Sequence, residues 1–509
     1  MGKKSTEEPR ELRELQARLR EVYDLRRAAL VLQWDQWTHM PAGGVEGRAR
    51  QLALVRRLAH ERFVDPRIGE LLEALGPLEE EHPRLSYEAS LIRVTRRDYE
   101  RETRVPAGFV RRSTAHSAIS YAAWLKAKEE DDFGVARPHL ERRLELSLEL
   151  AGFHPDAGHP ADPLVGASDP GMGVEKLRGL FGELREGLVP LAGRLGEQEL
   201  PNDSFMRQRF PARAVLGFAE GAIGALGYDF SRGRHDAGES PFMSKLSAGD
   251  VRIVTWDREG LGLTLFATLH EAGHALYEQG IPEDLDGTPL GEGNSRSLHE
   301  SQARLVENTV GRGEPFWKFF YPRLRERFPR ELGSVPLRTF LRAINRVEPT
   351  LIRVAADEVT YNLHAIMRFD FELAMLEGKL APRDLPDAWR ERMRLDLGVA
   401  PGSDREGCLQ DPHWYDEAVG GMFHGYAVGN LLAAQFYEAM LREQPGLPHE
   451  MAAGECGALR GWLRENVWRH GGKLSAEEVA LEATGSPIST GPLLEYVRSK
   501  YGRLYGVRL

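Results

Sequence analysis

Cysteine is almost absent: Cys408 and Cys456 are the only two, far apart and in no CxxC arrangement. That excludes a disulfide framework and a cysteine-based zinc site, and it suits a reducing compartment. Lysine is scarce too, with 10 lysines among 67 basic residues and arginine supplying the other 57. The general thermophile signal is enrichment in lysine and glutamate, so this bias reads as codon usage rather than heat adaptation. There is no apolar run long enough to span a bilayer, and MGKKSTEEPRELREL at the start carries charge where a signal peptide needs an apolar core. The expectation is a soluble, cytoplasmic protein with no membrane association. Basic residues are spread along a chain of net charge −10, which leaves no electrostatic footprint for nucleic acid. No internal repeat or low-complexity segment is visible, which argues against a solenoid scaffold for protein partners.

What is present reads mostly as helix. Hydrophobic residues make up 41% and charged residues 28% of the 509, an ordinary globular balance. Leu12, Leu15, Leu19 and Val22 recur at helical spacing among Arg and Glu, predicting an amphipathic first helix. Similar patterns run through 46–62, 109–130, 140–151, 174–195, 336–347, 352–377, 427–442 and 476–483. The Gly- and Pro-rich stretch 153–173 carries Leu164 and Val165, so it reads as an ordered loop rather than a linker. VRIVTW, 251–256, is the one clear strand, β-branched and bounded by Gly249–Asp250 and Asp257. The predicted fold class is mainly α, with a small β-sheet beside the helix that carries the principal motif.

That motif is His270-Glu271-Ala272-Gly273-His274, an HExxH, inside the helical run 263–280 that Gly280 and Pro282 stop. Residues four apart lie on nearly the same helix face, about 6 Å apart along the axis, so two imidazoles can converge on one tetrahedral zinc. Glu271 is close enough to act on a water at that metal without being a ligand. Zinc lowers the pKa of such a water to roughly 7, and a neighbouring carboxylate can take its proton. The bland alternative is a pair of histidines solvated on a helix face beside an exposed charge. The apolar surroundings weigh against it, since a half-buried His-Glu-His set needs partners. A third ligand is required. The metzincin pattern would place His at 280, where this chain has Gly280. The second helical run, 297–311, offers Glu300 and Glu307. Ser297-x-x-Glu300 also reads as a capping box, which would occupy Glu300 at a helix start. Spacing leaves the two glutamates open.

Five ordered segments resemble the carboxypeptidase Taq family of zinc metallocarboxypeptidases: DVRIVT at 250–255, HEAGH at 270–274, HESQ at 299–302, IRVAAD at 352–357 and GCLQDPHW at 407–414. LQWDQWTHMPAGGVEGRARQLA at 32–53 is similar as well, so the resemblance covers nearly the whole chain. It implies a large helical, groove-containing metallopeptidase fold. The chain would be a single peptidase unit over 1–509, or two helical lobes flanking a central groove. The resemblance further implies a cytoplasmic homodimer removing C-terminal residues from peptides with broad specificity and disfavouring proline. By the same resemblance, His270, His274 and Glu300 are the metal ligands and Glu271 the general base. Arg353 is the anchor for the substrate's free carboxylate, for which a guanidinium fork is suited. Its alternative is an ion pair with Asp357 or Glu358. His413 and Tyr426 are further substrate contacts, with Tyr426 or His424 able to donate to an oxyanion, or to pack. One zinc per subunit is expected, and such ligands also accept cobalt or manganese.

Two segments depart from the family. Ser240-Pro241-Phe242 stands where HPF is usual, and GGMFHGYAVGN, 420–430, has one residue inserted and glycine where the family has a tyrosine near 421. Competing readings are a zinc oligopeptidase cutting internal bonds and an inactive homologue serving as a binding scaffold. The intact HEAGH and Glu300 argue against the second.

Overall fold

The computed structural model describes residues 8–509. The charged opening stretch 1–7 lies outside the described residues. The chain forms two compact units.

The first unit gathers the stretch up to Arg104, Phe210–Asn294 and Cys456–Leu474. Helix α1 (Arg10–Thr38) buries Leu12, Leu15, Leu19 and Val22, the stripe expected of an amphipathic first helix. Helix α2 (Ala212–Leu226) buries Val215, Phe218, Ala219, Ala222, Ile223 and Leu226 and ends at Gly227, whose φ of 108° only glycine adopts without strain. Three strands follow: β1 (His235–Gly238), β2 (Phe242–Ser247) and β3 (Asp250–Trp256). Strand β3 is central, parallel to β1 and antiparallel to β2. Its Val251, Ile253, Val254 and Thr255 are buried. The sequence pattern announced β3 alone, because HDAG and FMSKLS carry no strand signature and become strands by pairing with it. Helix α3 (Leu261–Gly280), which carries HEAGH, packs on β2, β3 and α2. Its last residue must be small, since a Cβ on Gly280 would lie 2.1 Å from the ring of Trp468.

The second unit comprises Val105–Arg209, Ser295–Glu455 and Ser475–Leu509. Helix α4 (Arg296–Arg304) continues into a π-helical stretch, Leu305–Val310. Helix α5 is Thr360–Leu376 and helix α6 is Phe423–Glu443. Two glycines four apart on α6 admit α4 closely. A Cβ on Gly425 would come within 2.8 Å of the Arg296 side chain, and one on Gly429 within 2.6 Å of Glu300 Cγ. Small residues at this spacing let helix backbones approach.

Several expected boundaries move. The run predicted as helix over 352–377 begins at Thr360, and Arg353–Ala355 is a separate 3₁₀ turn. The reason is Asp357, whose carboxylate accepts the N–H groups of Val359 (2.9 Å) and Thr360 (3.0 Å) and so starts the helix there. The helices expected over 140–151 and 427–442 start earlier, at Phe133 and Phe423. Helices such as Tyr87–Arg104, Glu314–Arg327 and Gly491–Tyr505 were not anticipated. The stretch 153–173 is an ordered connection, as expected: it holds the short helix Asp162–Ser168, which buries Leu164 and Val165. No described helix is long and apolar enough to cross a membrane.

Candidate metal centre and the groups around it

The apolar side of α3 faces the small sheet, with Leu265, Leu269 and Ala272 fully buried, and this fixes the orientation of the motif. His270 and His274 are half-buried, one helical turn apart, their ring centroids 5.0 Å from each other. Glu271 is buried between them in sequence. One ligand atom from each of His270, His274 and Glu300 lies within 4.8 Å of the other two. Two imidazoles and one carboxylate form a donor set that suits a divalent transition metal with a coordination position left over for chemistry.

Glu300 does not cap its helix. Ser295 is the N-cap, its hydroxyl accepting from Leu298 N–H at 2.9 Å. The capping box read at Ser297 is therefore wrong: Ser297 sits inside α4, and its N–H donates to Asp169 Oδ1 at 3.0 Å. The other Asp169 oxygen meets His424 Nε2 at 2.8 Å, and His424 is fully buried. That makes His424 a packing element tying α6 to the start of α4, not a donor presented to substrate. Glu307, the rival ligand candidate, is not part of that cluster; Arg304 and Arg312 reach it at 3.2 and 3.4 Å.

Arg353, His413 and Tyr426 come together around a residue that sequence reasoning passed over. Asp411, inside the QDPHW segment, takes Arg353 Nε and Nη2, the latter at 2.7 Å, and Arg368 Nε at 2.6 Å. Flanked by two guanidinium groups, its carboxyl is held far below the usual range in spite of burial. Gln410 Oε1 accepts from Arg353 N–H and Arg368 Nη2, so the same segment holds both arginines. The alternative reading for Arg353, an ion pair with Asp357 or Glu358, is not what forms: its partner is Asp411. Asp357 starts α5, and Glu358 pairs with Lys500.

Arg353 Nη1 donates to the Tyr361 hydroxyl at 2.9 Å, and its guanidinium lies 4.9 Å from the Tyr426 ring centroid. A guanidinium has five N–H groups. Asp411 and Tyr361 take three of them, and one hydrogen remains on each terminal nitrogen. Tyr426 is bonded to His413 Nε2 at 3.2 Å. Burial lowers the His413 pKa to about 4 and raises that of Tyr426 to about 12, so at neutral pH both are uncharged. In the departing segment, a Cβ on Gly421 would lie 3.1 Å from the Leu164 carbonyl oxygen, so any side chain there requires that backbone to give by a few tenths of an ångström.

Residues 14–501 match the carboxypeptidase Taq (M32) metallopeptidase family. The chain is 41% identical over 486 residues to thermostable carboxypeptidase 1 of Thermus thermophilus, covering 93% of this chain and 94% of that one. It is 33% identical over 490 residues to carboxypeptidase 1 of Bacillus subtilis, covering 96% and 97%. Among solved structures, an M32 carboxypeptidase from Deinococcus radiodurans superposes with a TM-score of 0.95 at 45% identity, over 98% of this chain and all of that one. A Pyrococcus furiosus carboxypeptidase superposes with a TM-score of 0.94 at 29% identity, over 98% of this chain and 100% of that one. The chain belongs to the carboxypeptidase Taq family of metallopeptidases.

Proposed function

We propose that this chain is a zinc carboxypeptidase that removes single residues from the free C-terminus of peptides, with broad specificity and a poor acceptance of C-terminal proline. The observation that carries the reading is the donor cluster of two imidazoles and one carboxylate, with Glu271 next to its first histidine. In this reading His270, His274 and Glu300 hold the metal. Zinc held there polarises the scissile carbonyl and makes a water molecule more acidic. Glu271 takes the proton from the attacking water and passes it to the leaving amine, the usual double task of a general base. Arg353 binds the substrate carboxylate through its two remaining N–H groups, while Asp411 fixes the plane of the guanidinium. With His413 donating its Nε2–H to the Tyr426 oxygen, Tyr426, protonated at neutral pH, keeps its one hydroxyl hydrogen for an oxygen of the substrate.

The test pairs two enzymes with two substrates. Wild type should release the C-terminal residue of a free-acid peptide in a metal-dependent way and leave the amidated peptide nearly untouched. Losing a buried charge partner costs about 2–5 kcal/mol, so Arg353→Ala should lower kcat/KM on the free acid by ~30-fold or more and change the amidated peptide little. Arg353→Lys should recover only part, because a point charge cannot reproduce the fork. Glu271→Gln should keep its metal and lose at least ~10²-fold in turnover. Equal cleavage of both peptides at internal bonds would replace this reading with an oligopeptidase.

A further inference from the structure

The functional reading above leaves Arg304 without a task, although it is almost wholly enclosed. Its Nε donates to Glu300 Oε1 at 2.7 Å, and its Nη1 to Glu307 Oε2 at 3.2 Å. Its guanidinium lies 4.0 Å from the centroid of the Tyr361 ring. The hydroxyl of that same tyrosine is the acceptor for Arg353 Nη1. One side chain therefore touches the carboxylate of the candidate metal ligand and stacks on the residue that supports the candidate carboxylate anchor.

We infer that Arg304 is a positioning residue: it fixes the rotamer of Glu300 for metal binding and holds Tyr361 under Arg353. The inference rests on the zinc carboxypeptidase reading and deepens it. The local sequence favours the arrangement. Glu300, Arg304 and Glu307 are spaced i, i+4, i+7, which stacks them on one helix face, with Glu300 on the N-terminal side of Arg304, the better orientation for such a pair. A carboxylate on each side leaves the guanidinium little rotational freedom. Arg312 closes the chain by reaching Glu307 from five residues on, across the π-helical stretch. Such widened turns recur at functional sites. The chemistry needs an outer support of this kind. A carboxylate ligand has two oxygens and a rotatable stem, so binding a metal through one oxygen requires something to hold the other. A lysine could supply charge and N–H donors there, but not a rigid planar fork with a flat face for the ring.

The experiment is zinc competition against a chromophoric chelator, using metal-free full-length protein, with folding followed by circular dichroism. Wild type is the first control: if it takes up no zinc, the metallopeptidase reading fails before the inference is reached. Given uptake, Arg304→Met should bind zinc on the order of 10–100-fold more weakly. Arg304→Lys should lie between the two. Glu307→Gln should lose less than Arg304→Met, and the double variant should lose no more than Arg304→Met alone, because Glu307 acts through Arg304. KM for a free-acid dipeptide should also rise in zinc-saturated Arg304→Lys, through Tyr361. A merely structural arginine would lower the melting temperature and leave zinc affinity intact. Folded Arg304→Met, or folded Arg304→Lys should the methionine variant not fold, with wild-type zinc affinity overturns the inference.

Discussion

Replacing Gly429 with alanine should weaken metal binding although none of the three candidate ligands is replaced. In an ordinary helix this change is favourable by about 1 kcal/mol, since alanine is the best helix former and glycine among the worst. At Gly429 the added methyl would lie 2.6 Å from Glu300 Cγ, 2.7 Å from its Cβ and 3.2 Å from its carbonyl carbon. Two of these atoms belong to the root of the side chain or to the backbone, so no flexible tip can swing away. Helices α4 and α6 must therefore separate, and Glu300 moves with α4. Forcing a methyl into a packed contact costs typically 1–3 kcal/mol, which sets the net destabilisation between about zero and 2 kcal/mol. The effect on the metal should be larger relative to wild type, ~10-fold or more in affinity, because the displaced group is the carboxylate itself. Gly193→Ala is the control. It lies inside the helix Val174–Gly196 with nothing within 4 Å of the new methyl, and should gain about 0.4–1 kcal/mol with no change in metal affinity. Both proteins would be measured by urea denaturation in the metal-free form and by chelator competition. If Gly429→Ala is as stable as Gly193→Ala and binds zinc like wild type, the packing of α6 on Glu300 does not position this candidate ligand.

Asp411→Asn should destabilise the protein by about 3 kcal/mol in urea denaturation, because it leaves two buried guanidinium groups without their shared carboxylate, and it should raise KM for free-acid peptides. A loss below ~1 kcal/mol would refute that, since surface ion pairs already reach that size. Glu372 is fully buried, with one oxygen accepting from Trp414 Nε1 at 2.9 Å, and burial raises its pKa from 4.5 to about 8. A group whose pKa is raised on folding adds stability that is fully present below pH 4.5 and lost as pH climbs through about 8. Glu372→Gln removes that dependence. Its stability relative to wild type should therefore climb between pH 5 and 7.5, at up to ~1.4 kcal/mol per pH unit. A difference that stays flat across that range would show that Glu372 titrates normally.

The fold class and the first half of the candidate site are legible because their signals are local. HEAGH needs only one helix, and the periodicity of 263–280 supplies it. Strand β3 announced itself through a β-branched run, whereas β1 and β2 are strands only by virtue of pairing with it. The choice between Glu300 and Glu307 is different. Two serines, Ser295 and Ser297, can each start the helix, and the choice between them moves the cap by two residues. Asp169 decides it from 128 positions away by taking the Ser297 N–H. Nothing in the spacing of 295–311 contains that information.

Helix α5 makes the same point for buried polarity. Its sequence, TYNLHAIMRFDFELAML, mixes polar and apolar residues, which suggests a wet face. In the structure Asn362, His364, Arg368 and Glu372 are all fully buried. Such a helix stands only if each polar group is paired. His364, Arg368 and Glu372 recur every four residues on one face, and their partners come from elsewhere. His364 meets the Thr350 carbonyl, Arg368 meets Gln410 and Asp411, and Glu372 meets Trp414. Three of those partners lie in one short segment, QDPHW. That segment is therefore more than a carrier for His413. Gln410 and Asp411 bind the arginine of α5 and the arginine of the preceding turn together, so one short loop both completes a buried helix face and aims Arg353. A residue such as Asp411 is hard to single out from sequence because its two partners are 58 and 43 positions away. The usable signal is the motif itself: an acid two residues before a histidine, in a chain whose Arg353 needs a carboxylate to hold it in place.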